Sequence, residues 1–223
     1  MSAGKKITPI LAIETSEKNC GVCLYYNAEK YFESSFRMKN AHSEKIFELI
    51  EKVFQSAGVS IVHTGCIAVS SGPGSFTGLR IGMSAAKGLA FGSALPIIPV
   101  PTFEAMALQI CDSYPDGTLF SIANKVNSEE IYYAKFQIKG NNFIFVENLS
   151  IIKHSDLKSN NTLVFGNAVN RNSGKETSFL FSAPSVKYVA QWAEKFGEDK
   201  LTYDYDYLEP DYLKELLIKG IIK

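Results

Sequence analysis

The chain has 223 residues, with 23 basic and 23 acidic side chains and a formal net charge of zero. That balance argues against a protein that grips nucleic acid alone, because phosphate contacts need clustered Lys and Arg, and leaves room only for a local basic patch. Hydrophobic residues make up 46% and charged residues 21%, enough apolar material for one large domain or two small lobes. The cysteines Cys20, Cys23, Cys66 and Cys111 complete no zinc-type spacing. Cys20 and Cys23 are three apart in a strand-like run, so they point to opposite faces and read as buried free thiols in a reducing compartment. The sequence shows no signal-peptide pattern and no membrane-spanning run, and a cytoplasmic protein is expected.

In chain order, residues 9–15 form an apolar strand ending in Glu14 and Thr15. Strands at 20–26 and 31–36 complete a meander. Residues 43–57 give the clearest helix: Ile46, Phe47, Leu49, Ile50, Val53, Phe54 and Ala57 occupy an arc of about 160°, and Gly58 stops it. An arc that wide can face both a sheet and a neighbouring helix. The apolar strand Cys66-Ile67-Ala68-Val69 then leads into Ser71-Gly72-Pro73-Gly74-Ser75-Phe76-Thr77-Gly78-Leu79-Arg80-Ile81-Gly82. Strand, glycine turn and helix N-terminus, with Ser75 or Thr77 as cap, is a geometry that collects anions. The spacing fits neither the dinucleotide fingerprint nor a P-loop, which needs Lys and Ser/Thr after its last Gly. The plainer reading is a tight turn that brings a helix close to a sheet.

The helix at 79–91 carries only Arg80 and Lys87 as charges, on one stripe, and Gly82, Ala85, Gly88 and Gly92 line a smooth flank. A helix apolar nearly all round must be covered on more than one side, so a second helix, from this chain or a partner, is expected against it. A short strand at 97–100 and a helix at 102–111 capped by Thr102 follow. Tyr114-Pro115-Asp116-Gly117 marks a boundary between residues 1–113 and 114–223. The second part reads as strands at 118–123, 131–138, 143–148 and 163–166, with a hairpin tip at Asn141-Asn142 after Gly140. A polar exposed stretch at 170–177 precedes a helix at 185–196 that turns Val186, Val189, Ala190, Ala193 and Phe196 inward. Residues 201–208 alternate Tyr and Asp. A last helix at 212–218 is a candidate to pack back on the first lobe. The order of elements predicts two related α/β lobes.

Little conventional chemistry is visible. His42, His63 and His154 are far apart and have no metal-ligand spacing. No G-x-S-x-G elbow is present. Glu14 and Glu104 could form an acid/base pair only if the fold brings them together.

The Ile-Glu-Thr-Ser start, Ala41-His42-Ser43-Glu44, the stretch from Ser71 to Gly82, Pro99-Val100-Pro101-Thr102 and Leu208-Glu209-Pro210-Asp211-Tyr212-Leu213 together resemble one family, TsaB (YeaZ), of tRNA threonylcarbamoyladenosine (t6A) biosynthesis. Lys214 stands where that family usually has Arg. The resemblance implies two lobes of the actin/Hsp70/sugar-kinase (ASKHA) type, the second degenerate. It implies a non-catalytic subunit that scaffolds and activates the catalytic subunit TsaD, with TsaE, in modifying position 37 of tRNA. It also implies a homodimer when alone, tRNA met only through the complex, no cofactor of its own, and ATP and metal on TsaD. In TsaD a His-x-x-x-His motif holds the metal; the comparable run here is Thr102-Phe103-Glu104-Ala105-Met106, and Thr and Met do not supply those ligands. The family's Asp-Ala-Arg-x-Gly-Glu run is replaced by Ile122-Ala123-Asn124-Lys125-Val126-Asn127-Ser128-Glu129-Glu130.

Under this reading the partner surface comprises Phe47, Ile50 and Phe54 of the first helix with Gly82, Ala85, Gly88 and Leu89 of the second. Gly72, Pro73, Gly74, Ser75, Phe76, Thr77, Gly78 and Arg80 form a structural signature turn. The competing reading is a small phosphotransferase or hydrolase that uses the turn at 72–78 as an anion cradle, with Glu14 or Glu104 as base.

Overall fold

The computed structural model describes residues 7–37, 42–157, 162–169, 178–179 and 181–213. The chain opens with β1 (Ile10–Glu14), β2 (Asn19–Tyr25) and β3 (Tyr31–Arg37), an antiparallel meander. Then come α1 (His42–Ala57), β4 (Cys66–Gly72), α2 (Phe76–Ser93), β5 (Ile97–Pro101) and α3 (Thr102–Cys111). These strands form one sheet in the order β3-β2-β1-β4-β5, with β4 parallel to both β1 and β5.

The period-2 alternation of the central strands sorts their side chains onto two faces. Leu11, Ile13, Val22, Leu24, Ile67 and Val69 meet Ile46, Leu49, Ile50 and Val53 of α1 and Met83, Ala86 and Ala90 of α2. Ile10, Ala12, Cys23, Tyr25, Cys66 and Ala68 meet the opposite layer, where α4 (Val186–Phe196) supplies Val186, Val189, Ala190, Trp192 and Ala193. Being buried on both faces is why β1 and β4 read as unbroken apolar runs. Cys20 and Cys23 fall in different clusters on opposite faces, as their spacing predicts, and all four cysteines are free and buried.

A second sheet contains β6 (Leu119–Lys125), β7 (Glu130–Ile138), β8 (Phe143–Lys153), β9 (Leu163–Phe165) and β10 (Ser178–Phe179), in the order β10-β9-β6-β7-β8. Phe120, Ile122, Ala134, Phe136 and Ile138 of this sheet pack on Phe103, Met106, Ala107 and Ile110 of α3. Ala105 and Leu108, on the other side of α3, belong to the first sheet's core. Thus α3 is clamped between the two sheets. The architecture is the expected two-lobed α/β fold of the ASKHA type. Among the described residues, no helix is long and apolar enough to cross a membrane.

Several elements depart from the sequence pattern. The helix at 185–196, read with the second lobe, packs on the first sheet as α4. The alternating 201–208 run is not a strand of either sheet; it is an extended strap, joined to β5 by the Ile97–Thr202 bridge and to the end of α2 by Tyr205, whose hydroxyl donates to the Leu95 carbonyl at 2.6 Å. Of its three tyrosines only Tyr205 packs on the core, with Leu208, while Tyr203 and Tyr207 are exposed along with Asp204 and Asp206. Thr102 is the first residue of α3, with Pro101 at the cap position, and its hydroxyl is buried without a partner. β8 extends to Lys153 because β7 remains beside it. The polar 170–177 stretch lies outside the described residues, as do residues 214–218 of the last predicted helix; Tyr212 and Leu213 are not helical.

Candidate partner-binding face and glycine turn

The glycine turn sits where β4 hands over to α2. Ser75 caps α2, its hydroxyl accepting from the Gly78 N–H at 3.3 Å, and its own N–H donates to the Ser16 carbonyl at 2.6 Å. The glycines answer to close backbone approach. A Cβ on Gly74 would lie 2.5 Å from the Ser16 carbonyl oxygen, one on Gly72 2.6 Å from that of Asp211, and one on Gly78 would fall on the Thr15 carbonyl. Gly72 also has φ of +125°, which side chains rarely adopt. The loop after β1 and the segment near Asp211 therefore pack directly against the backbone of the turn, as a tight turn that brings a helix close to a sheet requires. The Thr15 hydroxyl donates to the Gly78 carbonyl at 2.8 Å, locking β1 to the first turn of α2.

Glu14 lies beneath this junction, fully buried. Its carboxylate accepts from the Ser16 N–H and hydroxyl at 2.5 Å each and from the Ser70 hydroxyl. Burial pushes its pKa up, against the lowering effect of those bonds. Glu104 is on α3, where it accepts from the Trp192 indole at 3.0 Å. Each carboxylate is thus engaged by its own neighbours, Glu14 by Ser16 and Ser70 and Glu104 by Trp192. Met106 is buried among apolar side chains. His63 is exposed beside Ser60, and a ring nitrogen of His154 is 2.8 Å from the Ala168 carbonyl oxygen. Among the described residues, no group of three His, Cys, Asp or Glu is placed to hold a metal ion.

The segment 208–213 closes over the turn; the sequence suggested that a helix from 212 packs back on the first lobe, but not that it meets this turn. The Asp211 N–H donates to the Ser71 carbonyl at 2.7 Å. Tyr212 lies 4.9 Å from the Phe76 ring, and the Tyr212 hydroxyl accepts from Arg80 Nε at 3.1 Å. The Arg80 guanidinium rests 4.0 Å above the Phe76 ring. Two motifs that the sequence separates by over a hundred residues thus form one joint. Asn124, in the run that departs from the family pattern, is likewise structural: it donates to the Ser182 carbonyl at 2.8 Å and accepts from the Asn167 N–H at 3.0 Å.

The outer side of α1 and α2 is the other candidate surface. A hollow of about 500 Å³ is lined by Ile46, Phe47, Phe76, Thr77, Arg80, Ile81, Ser84 and Ala85. A second, of about 690 Å³, lies further along the same seam and includes Ile50, Phe54, Val59 and Leu89. Phe47 is 54% exposed and Phe91, at the end of α2, is 81% exposed. The seven residues assigned to a partner surface divide. Phe47 and Gly88 are exposed; Phe54 and Leu89 are half-buried in the seam. Ile50 and Ala85, the latter 6% exposed, are floor residues that belong to the core. Gly82 is a correction: it faces inward, and a Cβ there would fall on the Thr15 hydroxyl. A Cβ on Gly88 or Gly92 would meet nothing within 4 Å, so the smooth flank is two surfaces with different jobs.

Against this geometry the relatives are informative. The family model described as TsaD: tRNA N6-adenosine threonylcarbamoyltransferase matches residues 37–220. The tRNA threonylcarbamoyladenosine biosynthesis protein TsaB of Haemophilus influenzae is 32% identical over 127 residues, 56% of this chain and 52% of that protein. The matched stretch therefore spans about half the length of that curated relative. TsaB of Bacillus subtilis is 25% identical over 220 residues, covering 92% of this chain and 93% of the relative. In fold, YeaZ from Pseudomonas aeruginosa superposes with a TM-score of 0.74 at 20% identity, covering 92% of this chain and 99% of that one. The chain belongs to the family that the TsaD model describes and, within it, to TsaB (YeaZ).

Proposed function

We propose that this chain is a non-catalytic subunit of tRNA threonylcarbamoyladenosine biosynthesis. It binds a TsaD-type catalytic subunit through the outer side of α1 and α2, works with TsaE in the same assembly, and forms a homodimer by that side when alone. The observation that carries this reading is the outer side of α2, open among the described residues: a helix with two charges in its length, packed on a sheet by one flank and left with exposed Phe91 on the other, while Phe47 of the neighbouring α1 is also exposed. Apolar patches of this kind, rimmed by charges such as Arg80 and Glu48, mark protein interfaces. The names carried by the relatives supply the process. On this reading ATP, metal and tRNA are handled by the catalytic subunit, and the protein acts in the cytoplasm.

The test is a reconstitution of t6A formation from purified TsaD, TsaE, a threonylcarbamoyl donor and tRNA. Adding this chain should raise product formation, and adding Ser84→Arg, which places a bulky charge on the exposed wall of the hollow, should not. Equal product with and without the chain would contradict the proposal.

A further inference from the structure

We propose that when two copies of this chain associate through the α1/α2 side, α2 of each copy lies on α1 of the other, with Arg80 and Lys87 facing Glu44 and Glu51 of the second copy. The inference rests on the function proposed above, whose homodimer it specifies.

The two helices carry opposite charge on the sides they leave open. From Phe76 to Ser93, α2 has Arg80 and Lys87 and no acid. These two are seven residues apart, so they stand on one stripe of the helix, two turns or about 10 Å from each other. Ser84 and Phe91, both exposed, lie on the same stripe. On α1, Glu44 and Glu51 are also seven residues apart, and both are exposed. At a helical turn of about 100° per residue they fall within about 60° of Phe47, which lines the hollow, whereas Lys45 and Lys52 fall about 140° or more away from it. The charge along the seam is therefore basic on α2 and acidic on α1, repeated at the same spacing on each.

Covering the hollow turns this pattern into a requirement. Among the described residues that line it, Arg80 is the charged one. Its Nε donates to the Tyr212 hydroxyl and its guanidinium rests on the Phe76 ring. The ion pairs among the described residues are Lys45–Glu48 and Lys135–Glu147, so neither Arg80 nor Lys87 enters one there. A protein surface laid over the hollow takes Arg80 out of water, and an unpaired charge removed from water is costly. The cover has to bring a carboxylate. A second copy brings two at the matching spacing, and a two-fold axis makes each contact twice. The other pairing, α1 on α1 and α2 on α2, sets carboxylate against carboxylate and cation against cation, which is unfavourable.

Exchanged charges test the arrangement. One variant carries Arg80→Glu and Lys87→Glu, and the other Glu44→Lys and Glu51→Lys. Sedimentation equilibrium is run on the native chain, on each variant and on their equimolar mixture, and the native chain is also run with TsaD. Each variant alone is expected to self-associate at least about tenfold more weakly than the native chain, and the mixture to recover native affinity, because acid again meets base at both contacts. Arg80 also holds Phe76 and Tyr212, so Lys87→Glu alone serves as a second variant; it should weaken self-association and be rescued by the Glu44→Lys, Glu51→Lys chain. Variants that self-associate as well as the native chain, or a mixture no tighter than its parts, overturn the inference. A native chain that binds TsaD but stays monomeric overturns it and leaves the partner reading intact. A native chain that associates with neither overturns both.

Discussion

Helices α2 and α3 are alike in sequence and opposite in circumstance. Each is almost free of charge: Arg80 and Lys87 in one, Glu104 in the other. α3 has both its sides covered, one by α4 and the first sheet, the other by the aromatic face of the second sheet. α2 has a sheet on one side, only part of α1 beside it, and an open outer flank that ends in Phe91. An apolar helix needs two covers, and the described residues provide both for α3 and one for α2. What the difference teaches is that the described residues leave the outer flank of α2 open, and the proposed function is built on that inequality.

The comparison makes graded predictions. The largest effect belongs to the covered helix. Phe103→Ala, at a fully buried position of α3 against the second sheet, is expected to cost about 3–5 kcal/mol. Denaturant unfolding checks it, and a cost under about 1 kcal/mol would mean that α3 is not clamped. Next, Gly78→Ala should destabilise by about 1–3 kcal/mol, because its Cβ would fall on the Thr15 carbonyl. Gly88→Ala, in open space within the same helix, should stabilise by up to about 1 kcal/mol. If both substitutions moved the unfolding midpoint the same way, the division of α2 into an inner and an outer flank would be wrong.

A pH experiment probes how firmly the second sheet stays over α3. Glu17, in the turn between β1 and β2, is hydrogen-bonded to Asn167 beyond β9, and burial, with the charge of Glu14, raises its pKa from 4.5 to about 7. Between those values the folded protein holds a proton that the unfolded chain has released. Stability is therefore lost as pH rises from 4.5 through 7. Glu17→Gln should flatten that part of the stability profile, as read by thermal melts; an unchanged slope would remove Glu17 from this contact. The smallest effect on stability belongs to the open flank: Phe91→Ser should change it by less than about 0.5 kcal/mol while weakening self-association.

Much of the fold was legible because it rests on periodicity. The strand at Cys66-Ile67-Ala68-Val69, the helix from Ser43 to Ala57 and the opposite facing of Cys20 and Cys23 all follow from local spacing. The faces of α2 were not legible. Gly82 and Gly88 look equivalent in an apolar helix, and only the position of Thr15, which is 67 residues before Gly82 in sequence and beside it in space, makes one a packing requirement and the other a surface. The closure of Asp211 and Tyr212 over the glycine turn was illegible for the same reason, since Gly72 shows that something approaches but not what. α4 fell on the first sheet although it follows the second in sequence, because apolar Ile10, Ala12 and Tyr25 needed a cover that the first half of the chain does not supply.

The most direct test of the central claim is sedimentation equilibrium of the chain and of Ser84→Arg, each alone and with TsaD. The account predicts a homodimer that gives way to a mixed complex for the native chain, and a folded monomer that binds neither partner for Ser84→Arg. A native chain that stays monomeric at high concentration and ignores TsaD, or a variant that associates as well as the native chain, would contradict it.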